Sequence, residues 1–355
     1  MSSSYESNSP DASARREQSI YRWILALAWV LGGIRFLRLG RWSLWYDEAL
    51  TLGDGWHGAG WLPDKGPVHM LGYLVIRLVA DPFPGRPDEF ALRFGPALAG
   101  FLCVPLTAWA FRPLAGRRRA VLAALLVACS SWHVYWSQNA RAYTFAELGT
   151  LLAAGVWVRG WLAESRWRCA AGVVLAGMAG LFHPHAACLA VGLGLGPWLA
   201  RKLLSPEPGA KPSTHADLGG LWALLAGALL AAPLFGPALL EYIPKKAAGE
   251  SQGLLGFALE NMVHLATSTG FQMTPLLLIA AGLGLLQAAG SVRGRVVILV
   301  AVIPVLCVLA VALVARVSAQ YLFSVLPWVA LLAAWPVGGE QDPAPSGLRL
   351  KGRTA

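Results

Sequence analysis

The chain has little charge. Asp, Glu, Lys and Arg make up 14% of its 355 residues, against 56% hydrophobic residues. A soluble core of this size does not require such a balance. The apolar residues come in long runs, the pattern of a polytopic membrane protein. Acids are scarcest: 19 Asp and Glu stand against 29 Lys and Arg, a formal net charge of +10. That excess does not point to nucleic acid. The basic residues sit in short clusters between apolar runs, as the positive-inside rule requires. Short alternating segments are missing too, which excludes a transmembrane β-barrel, so the spans must close their backbone hydrogen bonds as helices. The five cysteines, Cys103, Cys129, Cys169, Cys188 and Cys307, lie inside apolar runs. Their spacing suits neither a metal site nor a disulfide framework. No internal or inverted repeat is visible.

The expected fold is all-α: a polytopic integral membrane protein of about ten transmembrane helices, with interfacial juxtamembrane helices in the first outer loop. The spans fall at roughly 20–39, 92–112, 120–137, 143–161, 169–184, 186–200, 219–240, 274–290, 296–315 and 320–337. Residues 1–19 are Ser-rich and polar and read as a disordered cytoplasmic N-terminus. The first run is too long for a signal peptide and lacks a small-residue cleavage site, so it reads as an uncleaved helix. Pro67 to Ala80 is too short to span and suits an interfacial helix, with His69, Tyr73 and Arg77 on one stripe. Counted that way, Arg117–Arg119, Arg166, Arg168, Arg201, Lys202, Arg293 and Arg295 all fall inside. Arg35, Arg38 and Arg41, at the outer end of the first helix, run against this pattern. The resulting division is a catalytic membrane module 20–200 with outer loop 40–91, a Pro-rich cytoplasmic linker 201–218, a helix group 219–337 with outer loop 241–273, and a cytoplasmic tail 338–355.

Four groups of residues carry candidate chemistry. Asp47 and Glu48 follow the first helix among Trp42, Trp45 and Tyr46. A carboxylate there can act as general base or hold a divalent cation such as Mg or Mn, or it can be a solvated loop acid or helix N-cap. Lys65 is a point cation at headgroup depth, suited to a lipid phosphate or to plain snorkelling. His133, Ser137 and Arg141 share a face if one helix runs through them. Arg141 then clamps phosphate oxygens or pairs with Glu147. His183 and His185 flank a proline, where structural hydrogen bonding is favoured over metal binding. All four groups fall at the outer ends of the helices, and Glu241, Tyr242, Lys245 and Lys246 could close over a substrate there.

These residues resemble the GT-C superfamily of membrane glycosyltransferases, in the branch of protein O-mannosyltransferases and lipid A aminoarabinose transferases. The likeness rests on Trp45-Tyr46-Asp47-Glu48-Ala49, on Lys65-Gly66-Pro67 with Tyr73, and on Glu89 through Gly100 with Arg93 inside it. It continues through Gly116-Arg117-Arg118, the run His133 to Tyr143, and Gln320-Tyr321-Leu322 with Pro327. Three positions depart from the family pattern: Asn139 replaces a Glu, Gly66 interrupts a double proline, and Gln320 replaces an Arg for which Arg316 is a substitute. The resemblance implies transfer of a sugar from a polyprenyl-phosphate donor to an acceptor lipid, glycan or protein. It implies an inverting single displacement at the non-cytoplasmic face of a bacterial inner membrane. Asp47 and Glu48 would be catalytic, Asp47 as base. Lys65, His69, Tyr73, His133, Arg141 and Arg316 would bind substrate and phosphate, and Asp47 and Glu48 would hold any divalent cation. Two rival readings stay open: a flippase for lipid-linked sugars, and a non-catalytic subunit of the same fold. Transporters carry charge near the bilayer midplane, whereas here it gathers at the outer ends.

Overall fold

The computed structural model describes residues 10–56, 70–83, 88–204, 215–229, 253–313 and 315–338. Every regular element among them is helical. In chain order they are α1 (Pro10–Gly32), α2 (Tyr46–Trp56), α3 (Met70–Ala80), α4 (Glu89–Ala115), α5 (Arg117–Cys129), α6 (Ser131–Ser137) and α7 (Tyr143–Leu162). There follow α8 (Arg166–Ala179), α9 (Ala187–Leu204), α10 (215–229), α11 (Gly253–Met273), α12 (Pro275–Ala288), α13 (Val292–Ala312) and α14 (Leu326–Ala333). Short 3-10 turns extend α1 (Gly33–Phe36), lead into α9 (Pro184–Ala186) and lead into α14 (Ala319–Val325).

The centre of the bundle is α4, which packs along α5 and α7 with α1 and α3 beside it. From α7 the packing passes to α8, α9 and α13, while α12 lies on α14. Between apolar helices in lipid the contact energy is dispersion rather than water release, so small residues decide how closely backbones approach. Gly155 on α7 faces the Trp109 ring of α4 at a distance that leaves no room for a Cβ. Gly172 on α8 does the same against the Trp157 backbone of α7. Large rings fill the remaining volume. Phe111 and Trp328 meet at 4.7 Å between centroids, a pairing worth about 0.5–1.5 kcal/mol beyond its area.

α4 begins where Asp88 accepts the Ala91 amide at 2.8 Å, and it ends at Gly116 with φ 83°. Of its three internal prolines, Pro113 frees the Trp109 carbonyl, and Arg159 Nη2 on α7 takes it at 2.9 Å. The expected third span is broken. α5 stops at Cys129, Ser130 caps α6 by accepting the His133 amide at 3.3 Å, and the two helices meet at 61°. A second break of 96° separates α11 from α12, at Thr274 with φ 62° followed by Pro275.

Three described helices are long and apolar enough to cross a membrane: Gln18–Phe36, Glu89–Ala115 and Val292–Ala312, with mean hydropathy 1.2, 1.6 and 2.9. Counting each bent pair as one span raises this to five. The ten expected spans all overlap described helices, but the others miss one of these measures. Two helices extend into stretches that the sequence set apart as a terminus and an outer loop. α1 starts at Pro10, inside the stretch expected to be disordered. The outer loop expected at 241–273 contains the 21-residue helix α11, held by Asn261, whose amide donates to Ala312 O and Ala315 O at 2.8 and 2.6 Å.

Candidate active site

The site is built where the segment after α1 meets the turn between α6 and α7. Glu48, in the first turn of α2, is fully buried. Arg93, one turn into α4, grips it with two parallel bonds: Nε to Oε1 at 2.7 Å and Nη2 to Oε2 at 2.6 Å. The same guanidinium donates to the carbonyls of Leu39, Trp42 and Ser43 at 2.8, 2.8 and 3.2 Å. One side chain thus fixes both the loop before α2 and the carboxylate within it. A fork of five donors does this where an ammonium could not.

Four consecutive residues then stitch the α6–α7 turn to this segment. Gln138 Nε2 donates to Ile34 O and Leu37 O at 3.3 and 3.0 Å. Asn139 Oδ1 accepts from Trp45 Nε1 at 2.6 Å, while its Nδ2 donates to Tyr135 O at 2.6 Å. The Ala140 amide donates to Glu48 Oε1 at 2.7 Å. Arg141 Nη1 donates to Asp47 O at 3.1 Å and Thr51 Oγ1 at 3.2 Å. The helical face expected for His133, Ser137 and Arg141 does not persist, because α6 ends at Ser137. Arg141 instead turns toward α2, and it is His133 that meets Glu147.

Asp47 is left half-buried beside Arg141, with its carboxylate outside the Glu48 network. Tyr73 joins them from α3 because its neighbour Gly72 lets that helix touch Ala142 and Phe182 O. Burial works against the Arg141 charge, but the neighbouring Tyr143, Tyr73 and Asp47 outweigh it and hold the group above its ordinary pKa. The result is a carboxylate and a fixed guanidinium side by side at one end of the bundle. α4 spans 27 residues from this end to the basic cluster Arg117–Arg119, a helix length of about 40 Å.

The other expected residues are distributed as follows. His133 is fully buried under the site, with Nδ1 toward Arg35 and Nε2 3.1 Å from Glu147 Oε2. His183 and His185 are buried against each other, Nδ1 to Nδ1 at 2.5 Å, and stack on Tyr143 at 4.6 and 5.7 Å between centroids. Arg316 is exposed, on the stretch that Asn261 pins through the Val317 amide at 3.2 Å. Lys65, His69 and the segment 241–252 lie outside the described residues. Sequence reasoning passed over Arg93, Arg35 and Asn139 as working residues. An arginine inside an apolar helix was the available signal for the first two, since such a charge must be paired.

Glu48, expected to be catalytic and a possible cation ligand, has both carboxylate oxygens engaged in the framework. Oε1 accepts from Arg93 and the Ala140 amide, and Oε2 accepts from Arg93 and the Trp45 amide at 3.3 Å. A divalent cation seeks six or more oxygen ligands and would have to displace Arg93. Among the described residues Asp47 therefore has no partner carboxylate with which to share Mg or Mn.

The polar constellation gathers at one end of the helical bundle, around the loop after the first helix. Residues 71–216 match the family described as Dolichyl-phosphate-mannose-protein mannosyltransferase. No curated protein matches the chain by sequence. Among solved structures, ArnT from Cupriavidus metallidurans bound to undecaprenyl phosphate is similar at TM-score 0.55 and 16% identity, covering 88% of this chain and 59% of that one. The apo form of the same protein gives TM-score 0.53 at 14% identity, over 91% and 59%. The Archaeoglobus fulgidus oligosaccharyltransferase, tethered to an acceptor peptide, gives TM-score 0.54 at 12% identity, over 89% and 49%. The chain thus spans between half and three-fifths of the length of these structures. It shares the GT-C fold with them and is an all-α polytopic membrane protein.

Proposed function

We propose that the chain is a membrane glycosyltransferase that takes a sugar from a polyprenyl-phosphate donor. The acceptor is bound at the non-cytoplasmic face, and the membrane is a bacterial inner membrane. The observation that carries this reading is the Arg141 guanidinium, bonded to the Asp47 backbone carbonyl and held in the electrostatic reach of the Asp47 carboxylate. Asp47 accepts the proton of the acceptor hydroxyl, an effect worth about 10²–10⁴-fold. The acceptor oxygen attacks the anomeric carbon, the bond from that carbon to the phosphate oxygen breaks, and polyprenyl phosphate leaves. Arg141 faces the charge that develops on that phosphate. Tyr73 borders the same space. Glu48 and Arg93 take no part in the chemistry and hold Asp47 in place. The basic cluster at the far end of α4 supports the assignment of the Asp47 end to the outer face. ArnT bound to undecaprenyl phosphate supports a polyprenyl-phosphate donor by analogy of fold.

The test is sugar release from a panel of polyprenyl-phosphate sugars by purified protein in detergent, with a mixed acceptor extract. Wild type is expected to cleave at least one donor, and Asp47→Ala is expected to cleave none while binding it. Equal binding by both proteins without cleavage, across the whole panel, would transfer the chain to the flippase or non-catalytic reading.

A further inference from the structure

We propose that Arg35, His133 and Glu147 form a positioning relay that sets where Arg141 meets Asp47; the inference rests on the transferase reading above. All three side chains are fully buried among apolar helices, and they come from three elements: the turn after α1, α6 and α7. Arg35 Nε and Nη2 lie 3.2 and 2.8 Å from His133 Nδ1. Its Nη1 donates to Gly32 O and Ala128 O at 3.2 and 3.3 Å, and its Nη2 to Val127 O at 3.1 Å. Val127 and Ala128 belong to the last turn of α5. Arg35 thus bonds the last carbonyls of α5 where that helix breaks, and a cation is favoured at that helix end. The guanidinium fills the break from which α6 departs at 61°.

The chemistry of the donors fixes the state of the histidine. A guanidinium cannot accept a hydrogen bond, so His133 Nδ1 must be the acceptor. The imidazole is then neutral with its proton on Nε2, directed at Glu147 Oε2 at 3.1 Å. That contact is close, though its alignment falls short of a hydrogen bond. The relay is Arg⁺–His–Glu⁻ and carries no net charge.

The same reasoning disposes of a metal reading. Cys103, His133 and Glu147 place ligand atoms within 4.8 Å of one another. A metal would need the Nε2 lone pair, which the proton occupies while Arg35 holds Nδ1. Apolar residues would pack this position at least as well as a buried ion pair, which commonly contributes specificity of arrangement rather than net stability. What the relay specifies is the register of α6 against the end of α1. Five residues beyond His133 begins the Gln138–Arg141 stitch, which grips Ile34, Leu37, Trp45, Glu48 and Asp47. A shift of α6 carries that stitch with it, and a misplacement of about 1 Å can cost 10²-fold in rate.

His133→Gln keeps one acceptor and one donor; His133→Leu removes both. Arg35→Met with His133→Leu and Glu147→Met removes the relay without leaving a charge. Full-length variants in detergent would be compared for donor cleavage, thermal stability, zinc content and deuterium exchange over 138–142. His133→Gln is expected to keep kcat within about threefold, whereas His133→Leu and the triple variant lose about 30-fold or more with donor KM little changed. The triple variant is expected to keep its Tm, yet both it and His133→Leu should lose protection of the Ala140 amide. Protection and kcat retained in the triple variant would overturn the proposal. So would His133→Gln as slow as His133→Leu with Ala140 still protected, or stoichiometric zinc in wild type that His133→Gln lacks. If wild type cleaves no donor, the transferase reading fails while the exchange comparison still decides whether the relay sets the stitch.

Discussion

Arg93 reaches across 45 residues of sequence to hold Glu48 by two bonds of 2.7 and 2.6 Å, with both side chains withdrawn from solvent. The pair converts an acidic dipeptide into two residues with different tasks. Glu48 is consumed in the framework, and Asp47, one position earlier, is left available. The consequence for mutation is asymmetric. Removing either member leaves an uncompensated buried charge, a cost of about 3–5 kcal/mol. Arg93→Lys is no rescue, because an ammonium cannot serve the two carboxylate oxygens and three carbonyls together. Arg93→Lys and Glu48→Ala are both expected to lower Tm and to expose the 37–48 segment to protease. A Glu48→Ala protein that keeps the wild-type Tm would show that the carboxylate is not structural.

Arg141 has a double duty that separates it from Arg93. It is bonded to Asp47 O and Thr51 Oγ1, yet it lies in the half-buried region beside the free Asp47 carboxylate. A guanidinium can keep those two bonds while offering further N–H groups to phosphate; Lys cannot do both. Arg141→Lys is expected to slow donor cleavage by about 10²-fold with a small change in Tm. Unaltered cleavage kinetics would place the phosphate elsewhere.

The positions of the helices could be read from apolar run length, because that pattern follows directly from the bilayer. The structure brings Asp47, Tyr73 and Arg141 near one another, three residues that the sequence placed near helix ends. The partition between Asp47 and Glu48 could not be read. It depends on a contact from α4 that no local spacing encodes. Arg35 misled for a related reason. Counted as a loop charge it opposed the inside-positive pattern, but it is an interior residue paired with His133 and Glu147 and does not belong in that count. The α11 helix was missed because Glu260, Asn261 and His264 interrupt its apolar run. Asn261 is polar on purpose, bonding the carbonyl of the last α13 residue, Ala312, and that of Ala315 just beyond it.

Asn139 illustrates how a departure from the family pattern can be a local fit rather than a loss. Its amide accepts from the Trp45 indole and donates to Tyr135 O. A carboxylate could accept from the indole but would face the Tyr135 carbonyl with no proton to give. Asn139→Asp is therefore expected to cost about 1–3 kcal/mol, seen as a lower Tm. A more stable Asn139→Asp would mean that the Trp45 bond alone governs this position.

Gly172 tests packing away from the site. A Cβ there would lie 2.5 Å from Trp157 Cβ, 2.9 Å from its Cα and 3.0 Å from Ala153 O, so backbone must move. Overpacking of this kind costs about 1–3 kcal/mol. Gly172→Ala is expected to lower Tm while leaving kcat per folded molecule unchanged. A selective fall in kcat would reveal that the α7–α8 contact reaches the site through Tyr143.

Metal dependence follows from the Glu48 bonds. Both of its oxygens are engaged, so a cation at Asp47 would have to complete its shell with water, substrate and residues outside the described set. A single protein carboxylate is the weakest form of such a site, and the guanidinium of Arg141 beside it repels a second cation. On the proposed transferase reading, charge neutralisation of the leaving phosphate falls to fixed cations rather than to an exchangeable one. Treatment with EDTA is accordingly expected to leave donor cleavage within about twofold of the untreated rate. A loss of tenfold or more that Mg or Mn restores would require Arg93 to release Glu48 in the working enzyme, and Arg93→Ala would then strengthen metal binding rather than abolish it.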